Sequence, residues 1–394
     1  MDFKAINEHI AVSSFSSNIG LRETYISITP TKGYAVFSHA LEEIGAYLDT
    51  ALDRLDLSAQ ELVFSRLYLS DIENQKAVVR ASLLYQRLSH GVLSIIGQTP
   101  LSGGSVSLLL YFIEGRSGRP LQKETLAPLE DPWCSRWLFS GQHYSMFWVA
   151  NYTGRDALGS AKQTRRLLTR LNEEMASENL SMRRDLLRTW VYVRDVDNRY
   201  QGMVDARREF FELNGLNQST RYPASTGIEG KAHSVDCLVD VDALAFSGLD
   251  DEQVVKMEAL DHLSPTIQYG VTFERGIRIR FGDRSHLHIS GTASIDKHGE
   301  IMYPGDILKQ AERTVANMSA LLEGQGASIR DMAYIILYLR DTSVFEALRE
   351  HLHTLIPDDI LLIPVSASIC RPGWLIEMEG VAIVADDAPF ATFF

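Results

Sequence analysis

Two carboxylates two positions apart, Glu377 and Glu379, stand in an otherwise apolar run close to the end of the chain, Leu375 to Val384. Enrichment in branched residues marks the run as a strand, and period-2 alternation puts both glutamates on one face and Ile376 and Met378 on the other. A carboxyl amid that much apolar surface has its pKa raised by desolvation unless a cation restores the charged form. A carboxylic acid still protonated near neutral pH is what general acid catalysis requires. The same alternation also fits an edge strand with its glutamates on a solvated face. Cys370, seven residues before Glu377, has two readings. It is a small buried hydrophobe, the usual fate of a free cysteine, or it shapes the space beside the acid. With no histidine nearby in sequence, it is not read as a nucleophile.

Elements must hold these groups in place, and the chain is long enough for several. At 394 residues it exceeds one typical core and predicts two or three units. Its 45% apolar and 23% charged content is ordinary for a globular protein. Apolar runs such as Leu108 to Ile113 are far too short to span a membrane, and Met1-Asp2-Phe3-Lys4 does not open a secretory signal. Cys134, Cys237 and Cys370 match no metal-ligand spacing, which predicts a reduced, cytoplasmic chain. A net charge of −13 argues against a nucleic-acid partner, while leaving room for a local basic pocket. His286 and His288 share a strand face, but no third ligand supports a metal site. No glycine-rich phosphate loop follows a strand, so no nucleotide and no other cofactor is expected.

The chain repeats itself three times: Leu67-Tyr68-Leu69-Ser70-Asp71, Val191-Tyr192-Val193-Arg194-Asp195 and Leu337-Tyr338-Leu339-Arg340-Asp341. An amphipathic helix precedes each copy, over 38–54, 160–175 and 308–322; apolar residues at Leu308, Ala311, Val315, Met318 and Leu322 carry the last. A second helix follows, over 73–88, 198–213 and 343–355, and a strand closes each unit at 105–113, 234–245 and 375–384. Each unit begins with a hairpin, clearest at His286 to Asp296 with its turn at Lys297-His298-Gly299. The result is an α+β fold with helices on one face of a mixed sheet. Three such units, at 1–125 (degenerate), 126–270 and 271–394, form a pseudo-threefold ring within one chain, which predicts a monomer with an internal pseudo-trimer.

The third unit resembles the YjgF/RidA family. The resemblance rests on Ile289-Ser290-Gly291, Gly305-Asp306, Gln310, Asn317, Gly326-Ala327-Ser328, Tyr338-Leu339 and Ile376-Glu377-Met378-Glu379-Gly380-Val381-Ala382. It implies a chorismate-mutase-like α+β unit with pockets between units. The deaminase branch of that family hydrolyses enamines and imines with an arginine upstream of the last strand, and Ile363 to Ile369 holds none. Units two and three together resemble a narrower group, the chorismatases, which cleave the enolpyruvyl ether of chorismate to release pyruvate. Here the matching residues are Arg188-Thr189-Trp190, Tyr200, Arg207, Pro223-Ala224-Ser225-Thr226-Gly227-Ile228-Glu229-Gly230, Ile289-Ser290-Gly291-Thr292-Ala293, Glu377 and Glu379-Gly380. Cys370 and Gly291 stand where the branch forming 3-hydroxybenzoate carries cysteine and glycine, and where the hydrolysing branch carries alanine twice.

The resemblance implies Glu377 as the general acid, with Glu379 a neighbour that tunes or orients it. Chorismate carries two carboxylates, and arginine grips a carboxylate through two parallel bonds. Arg207 and Arg349, on the helices after the central strands, are the candidates; Arg349 also reads as a solvated residue beside Glu346 and Glu350. Arg188 and Arg340 flank central strands and fit a structural role. Tyr200 is read as a substrate hydrogen-bonder or as an interface aromatic. Thr226 and Gly227, in a Ser-Thr-Gly turn, offer a hydroxyl and backbone N–H groups to an anion. The expected site lies where unit three meets unit two. Two alternatives stay open: a YjgF-like small-molecule binder and an enamine or imine deaminase.

Overall fold

The computed structural model describes residues 1–32, 36–115, 121–126 and 131–394. Its three sheets follow one plan. In the first, the strands Ile10–Ser16 and Arg22–Ile28 form a hairpin, the closing strand Val106–Glu114 lies beside it, and the central strand Leu62–Leu69 comes next. A parallel edge strand, Val92–Gly97, completes that plan. The second sheet repeats it with Ser135–Ser140, Ser145–Thr153, Val239–Ser247, Leu186–Val193 and Ala224–Glu229. The third does so with Gly276–Arg280, Arg284–Ala293, Ile376–Ala385, Met332–Leu339 and Leu361–Ser366. The long helices Phe37–Leu55, Ser160–Ser177 and Ile307–Glu323 bury one apolar stripe each.

Several details differ from the sequence reading. Each unit has an edge strand, parallel to its central strand, that was not expected. Ser225-Thr226-Gly227 therefore lies in a strand, not a turn; small and polar residues there imitate a loop, and pairing with Leu186–Val193 decides the matter. In the third unit the hairpin partner lies upstream, at Gly276–Arg280, and the turn at 297–299 joins only an isolated bridge, Ile295 to Ile301. The helix expected over 73–88 breaks at Ser82, whose hydroxyl accepts from the Tyr85 N–H to start a new helix. The last helix is short, Phe345–Leu352, after a 3₁₀ turn.

The three units close a ring by the same device at each junction. The edge strand of each unit bonds a segment of the next: Gly97 to Lys231, Ile228 to Ile369, and Val365–Ser366 to Thr99–Pro100. Tyr68, Tyr192 and Tyr338, the three repeat tyrosines, are buried in one shared cluster. Phe64, Trp148 and Trp190 stack beside them, the two tryptophan rings within 4° of parallel.

Buried charge follows the same order. Arg66 of unit one donates to Asp242 of unit two at 2.8 Å, Arg188 of unit two pairs with Glu379 of unit three, and Arg284 of unit three pairs with Glu23 of unit one. Removing one partner of such a pair strands the other charge out of water. Asp242→Ala, leaving Arg66 alone, is expected to cost about 3–5 kcal/mol in urea unfolding, whereas Arg66→Met with Asp242→Leu costs much less.

Candidate active site

Glu377 sits on the closing strand of unit three, opposite Tyr338 on one side and Ala293 on the other. Its side chain faces a cavity at the junction with unit two. Unit two supplies Tyr200, Arg207, Ser225 and Gly227 to the walls, and Arg275, Gly291, Cys370, Arg371 and Trp374 complete them. The cavity and its mouth hold about 540 Å³ free of protein atoms. Seven of the eight expected site residues are thus brought together, with Thr226 just behind the wall. Arg349 is the exception. It stands on the outer face of its helix, about half exposed, and pairs with Glu346 at 2.6 Å, because Phe345, Leu348 and Leu352 take the buried face.

The edge strand explains how Thr226 and its neighbours divide. Ser225 and Gly227 point into the cavity, and Thr226, one step between them, points to the opposite side. There its hydroxyl donates to Glu379 and accepts from the Gly291 N–H at 2.9 Å. Glu379 is wholly buried and also accepts from Arg188 and from the Tyr338 hydroxyl at 2.8 Å. Glu377 has no comparable set of donors among the described residues. Burial first, then the nearby charge of Glu379, pushes its carboxyl up to about 8, against the pull of Arg275 and Arg188.

Gly291 has a steric reason to be glycine: a Cβ there would overlap the Glu377 carboxylate. Gly227 lets the Tyr200 ring rest on the backbone, since a Cβ would lie 3.0 Å from that ring. Tyr200 and Cys370 line the same wall, each among the groups that act on the other. Arg207 is buried; Nη1 donates to Ser225 Oγ at 3.1 Å, and its Nε has no hydrogen-bond partner among the described residues. A buried cationic donor without a partner is costly, and here it lines a cavity.

Sequence reasoning missed Arg275, Phe273 and Trp374 in the wall, and read Arg188 as structural. Arg275 precedes the first strand of unit three and donates to the Ser264 carbonyl at 3.1 Å; no local spacing signals it. Arg188 carried a signal in its central-strand place, but its partner Glu379 lies 191 residues away. His286 pairs with Glu23 at 2.9 Å, and His288 is pushed far below the usual histidine range by burial and by His286. Among the described residues no group of three or more His, Cys, Asp or Glu could hold a metal ion, and no helix is long and apolar enough to cross a membrane.

This geometry has relatives. Residues 277–384 match the family model described as Endoribonuclease L-PSP. A RutC family protein of Pyrococcus abyssi is 30% identical over 97 residues, which span 24% of this chain and 76% of that protein. By its third unit the chain belongs to the RutC family, the YjgF/RidA-like proteins. The three-unit whole is chorismatase-like in fold. A solved chorismatase structure superposes with a TM-score of 0.62 at 18% identity, covering 82% of this chain and 93% of that one. The 3-hydroxybenzoate synthase of Streptomyces hygroscopicus is 23% identical over 221 residues, which span 50% of this chain and 63% of that protein. The chain thus spans under two thirds of that relative's length.

The Cys370 thiol is pushed up to about 12, by burial first and by Glu377 next. The thiolate is the reactive form. Iodoacetamide at pH 8 should therefore leave Cys370 unmodified in the folded chain and alkylate it after unfolding, as read by peptide mass spectrometry.

Proposed function

We propose that the chain is a chorismatase that converts chorismate to 3-hydroxybenzoate and pyruvate, with Glu377 as the general acid. One observation carries the reading: a buried carboxyl, its pKa pushed up to about 8, faces a cavity that also holds a buried arginine with an unpaired N–H. In this reading 126–270 supplies the binding half of the site, 271–394 the acid, and 1–125 closes the ring, so that one chain acts as a monomer in the cytoplasm.

Arg207 and Arg275 take the substrate carboxylates, and Tyr200 and Ser225 orient the ring. Thr226 and Gly227 act through the edge strand: Gly227 makes room for Tyr200, and Thr226 holds Gly291 in place. Glu377 delivers its proton to the methylene carbon of the enolpyruvyl group, which leaves the ether carbon electron-poor. As the ring–oxygen bond breaks, its electron pair stays with the departing oxygen, which becomes the ketone of pyruvate. The neighbouring ring hydroxyl bonds to the carbon vacated and gives up its proton, closing an epoxide; the oxygen's original bond to the ring then breaks, the carbon it has joined loses its hydrogen as a proton, and the oxygen takes up a proton, which makes the ring an aromatic phenol. Of the two protons released, one restores Glu377 and the other ends on the phenol oxygen, so no water is consumed overall. If water attacks the side chain instead, the ring keeps both hydroxyls.

Cys370 and Gly291 decide between these routes. Gly291 leaves the acid its position, and the thiol fills space beside Tyr200 where water would otherwise stand. A difference of about 1.4 kcal/mol already changes the product ratio tenfold. A YjgF-like binder without turnover would use the same arginines, and one experiment separates the two.

Chorismate is incubated with the protein and the products are chromatographed. Wild type should yield mainly 3-hydroxybenzoate and pyruvate, with a rate that falls as pH rises through about 8, where Glu377 loses its proton. Glu377→Gln should lower kcat by about 10²–10⁴ with binding retained, and Cys370→Ala should shift output toward the dihydroxylated product. No consumption of chorismate would overturn the assignment.

A further inference from the structure

The proton on Glu377 needs a cause more specific than burial, since two arginines stand within its influence. The groups that face it are Glu379 on its own strand, Arg188 and Tyr200 from unit two, and Arg275 and Cys370 from unit three. Arg207 and Arg371 line the same cavity. With that many cations nearby, an isolated carboxyl would ionise. Here one of them is already committed. Arg188 pairs with Glu379, and Thr226 and Tyr338 add two hydroxyl donors to the same carboxylate.

The same arrangement occurs a second time, at the junction of units one and two. Tyr192 faces Asp240 and Trp190 faces Asp242, in the registers in which Tyr338 faces Glu377 and Ile336 faces Glu379. Asp242 accepts from Arg66 at 2.8 Å and from Ser94 at 2.6 Å, and Ser94 holds the edge-strand register of Thr226. Asp240 is buried with an oxygen that has no hydrogen-bond partner, and burial followed by the charge of Asp242 pushes it far above the usual carboxylate range. His233 stands seven residues before Asp240, as Cys370 does before Glu377. The surroundings of the bulge differ. Asn151 takes the bulge position of Gly291, and its amide bonds the Leu93 and Trp133 carbonyls and the Ile95 N–H; the cavity at that junction is lined by Asn151, Leu93 and Ile95 but not by Asp240. In the third junction the two registers hold Ser107 and Leu109, with no acid at either.

We propose, on the reading that Glu377 is the acid, that Glu379 is a positioning residue: clamped as an anion by Arg188, Thr226 and Tyr338, it keeps the shared proton of the pair on Glu377. The anchored acid and the protonated acid are one device, built at two junctions, and its protonated acid lines a cavity at one. Glu379 touches no substrate. It acts by occupying Arg188 and by repelling a second negative charge two residues along its strand.

Infrared spectroscopy of the full chain with ¹³C-labelled glutamate reads the protonated carboxyl directly, identified by its loss in Glu377→Gln. In wild type that band should fade with a midpoint near pH 8. In Glu379→Gln the negative neighbour is gone and Arg188 is released, so the midpoint should drop by about one pH unit or more. Glu379→Asp keeps the anion, as Asp242 does at the other junction, and should restore the midpoint to within a few tenths of a unit. Should Glu379→Gln fail to fold because Arg188 is stranded, the paired change Arg188→Met with Glu379→Gln removes both charges, and its midpoint should fall by less than in the single variant. A midpoint that does not fall in a folded variant, or an aspartate as damaging as glutamine, overturns the inference. Turnover separates this from the functional reading. Chorismate cleaved with an unmoved midpoint rejects the role of Glu379 alone, whereas the predicted midpoints without chorismate cleavage reject the reaction and leave the proton assignment standing.

Discussion

Three buried ion pairs tie the fold together, each with its cation in one unit and its anion in the next. Arg66 with Asp242, Arg188 with Glu379, and Arg284 with Glu23 run around the ring in one direction. An unpaired charge in such an interior is costly enough that no unit could bury its arginine or acid alone. Each unit must therefore meet its neighbour in one register. The edge-strand bonds at the same three junctions fix the lateral position, and the stacked aromatics fill what remains of the axis. Attraction between pairs is modest after desolvation, so their main effect is on which arrangement forms rather than on how stable it is.

The candidate site is the joint of this ring at which a buried acid lines a cavity. Glu379 belongs at once to the interface and to the acid pair, because its partner Arg188 lies across the junction while Glu377 lies two residues away. Gly291 and Asn151 mark the difference between a joint whose buried acid lines the cavity and one whose cavity does not reach it. The same bulge in the same strand register carries a bare backbone at one and a three-bonded amide at the other. Duplicated units allow such divergence, since a junction with no chemistry to perform still needs its buried pair for closure.

Much of this was legible in the chain. The repeat of Tyr68, Tyr192 and Tyr338 with helices on either side located three units, because hydrophobic period and turn residues are local properties. Glu377 stood out for a local reason as well: a carboxyl in a run of branched apolar residues implies desolvation wherever the strand is packed. Edge strands such as Ala224–Glu229 were not legible, because small polar residues there become a strand only when a neighbour supplies the pairing. Arg349 misled for the opposite reason: a helix position one step after Leu348 turns it away from the interior. Arg275 and the Arg188–Glu379 pair depend on which surfaces meet across hundreds of residues, and no spacing encodes that.

The central claim is that Glu377 acts as an acid on a substrate held between units two and three. A crystal structure of Glu377→Gln soaked with chorismate tests it most directly, since that variant keeps the shape of the site without the proton. The account predicts intact chorismate in the cavity, its enolpyruvyl methylene against the side chain of residue 377 and a carboxylate on Arg207. Chorismate bound elsewhere, or bound there with its methylene turned away from residue 377, would contradict it.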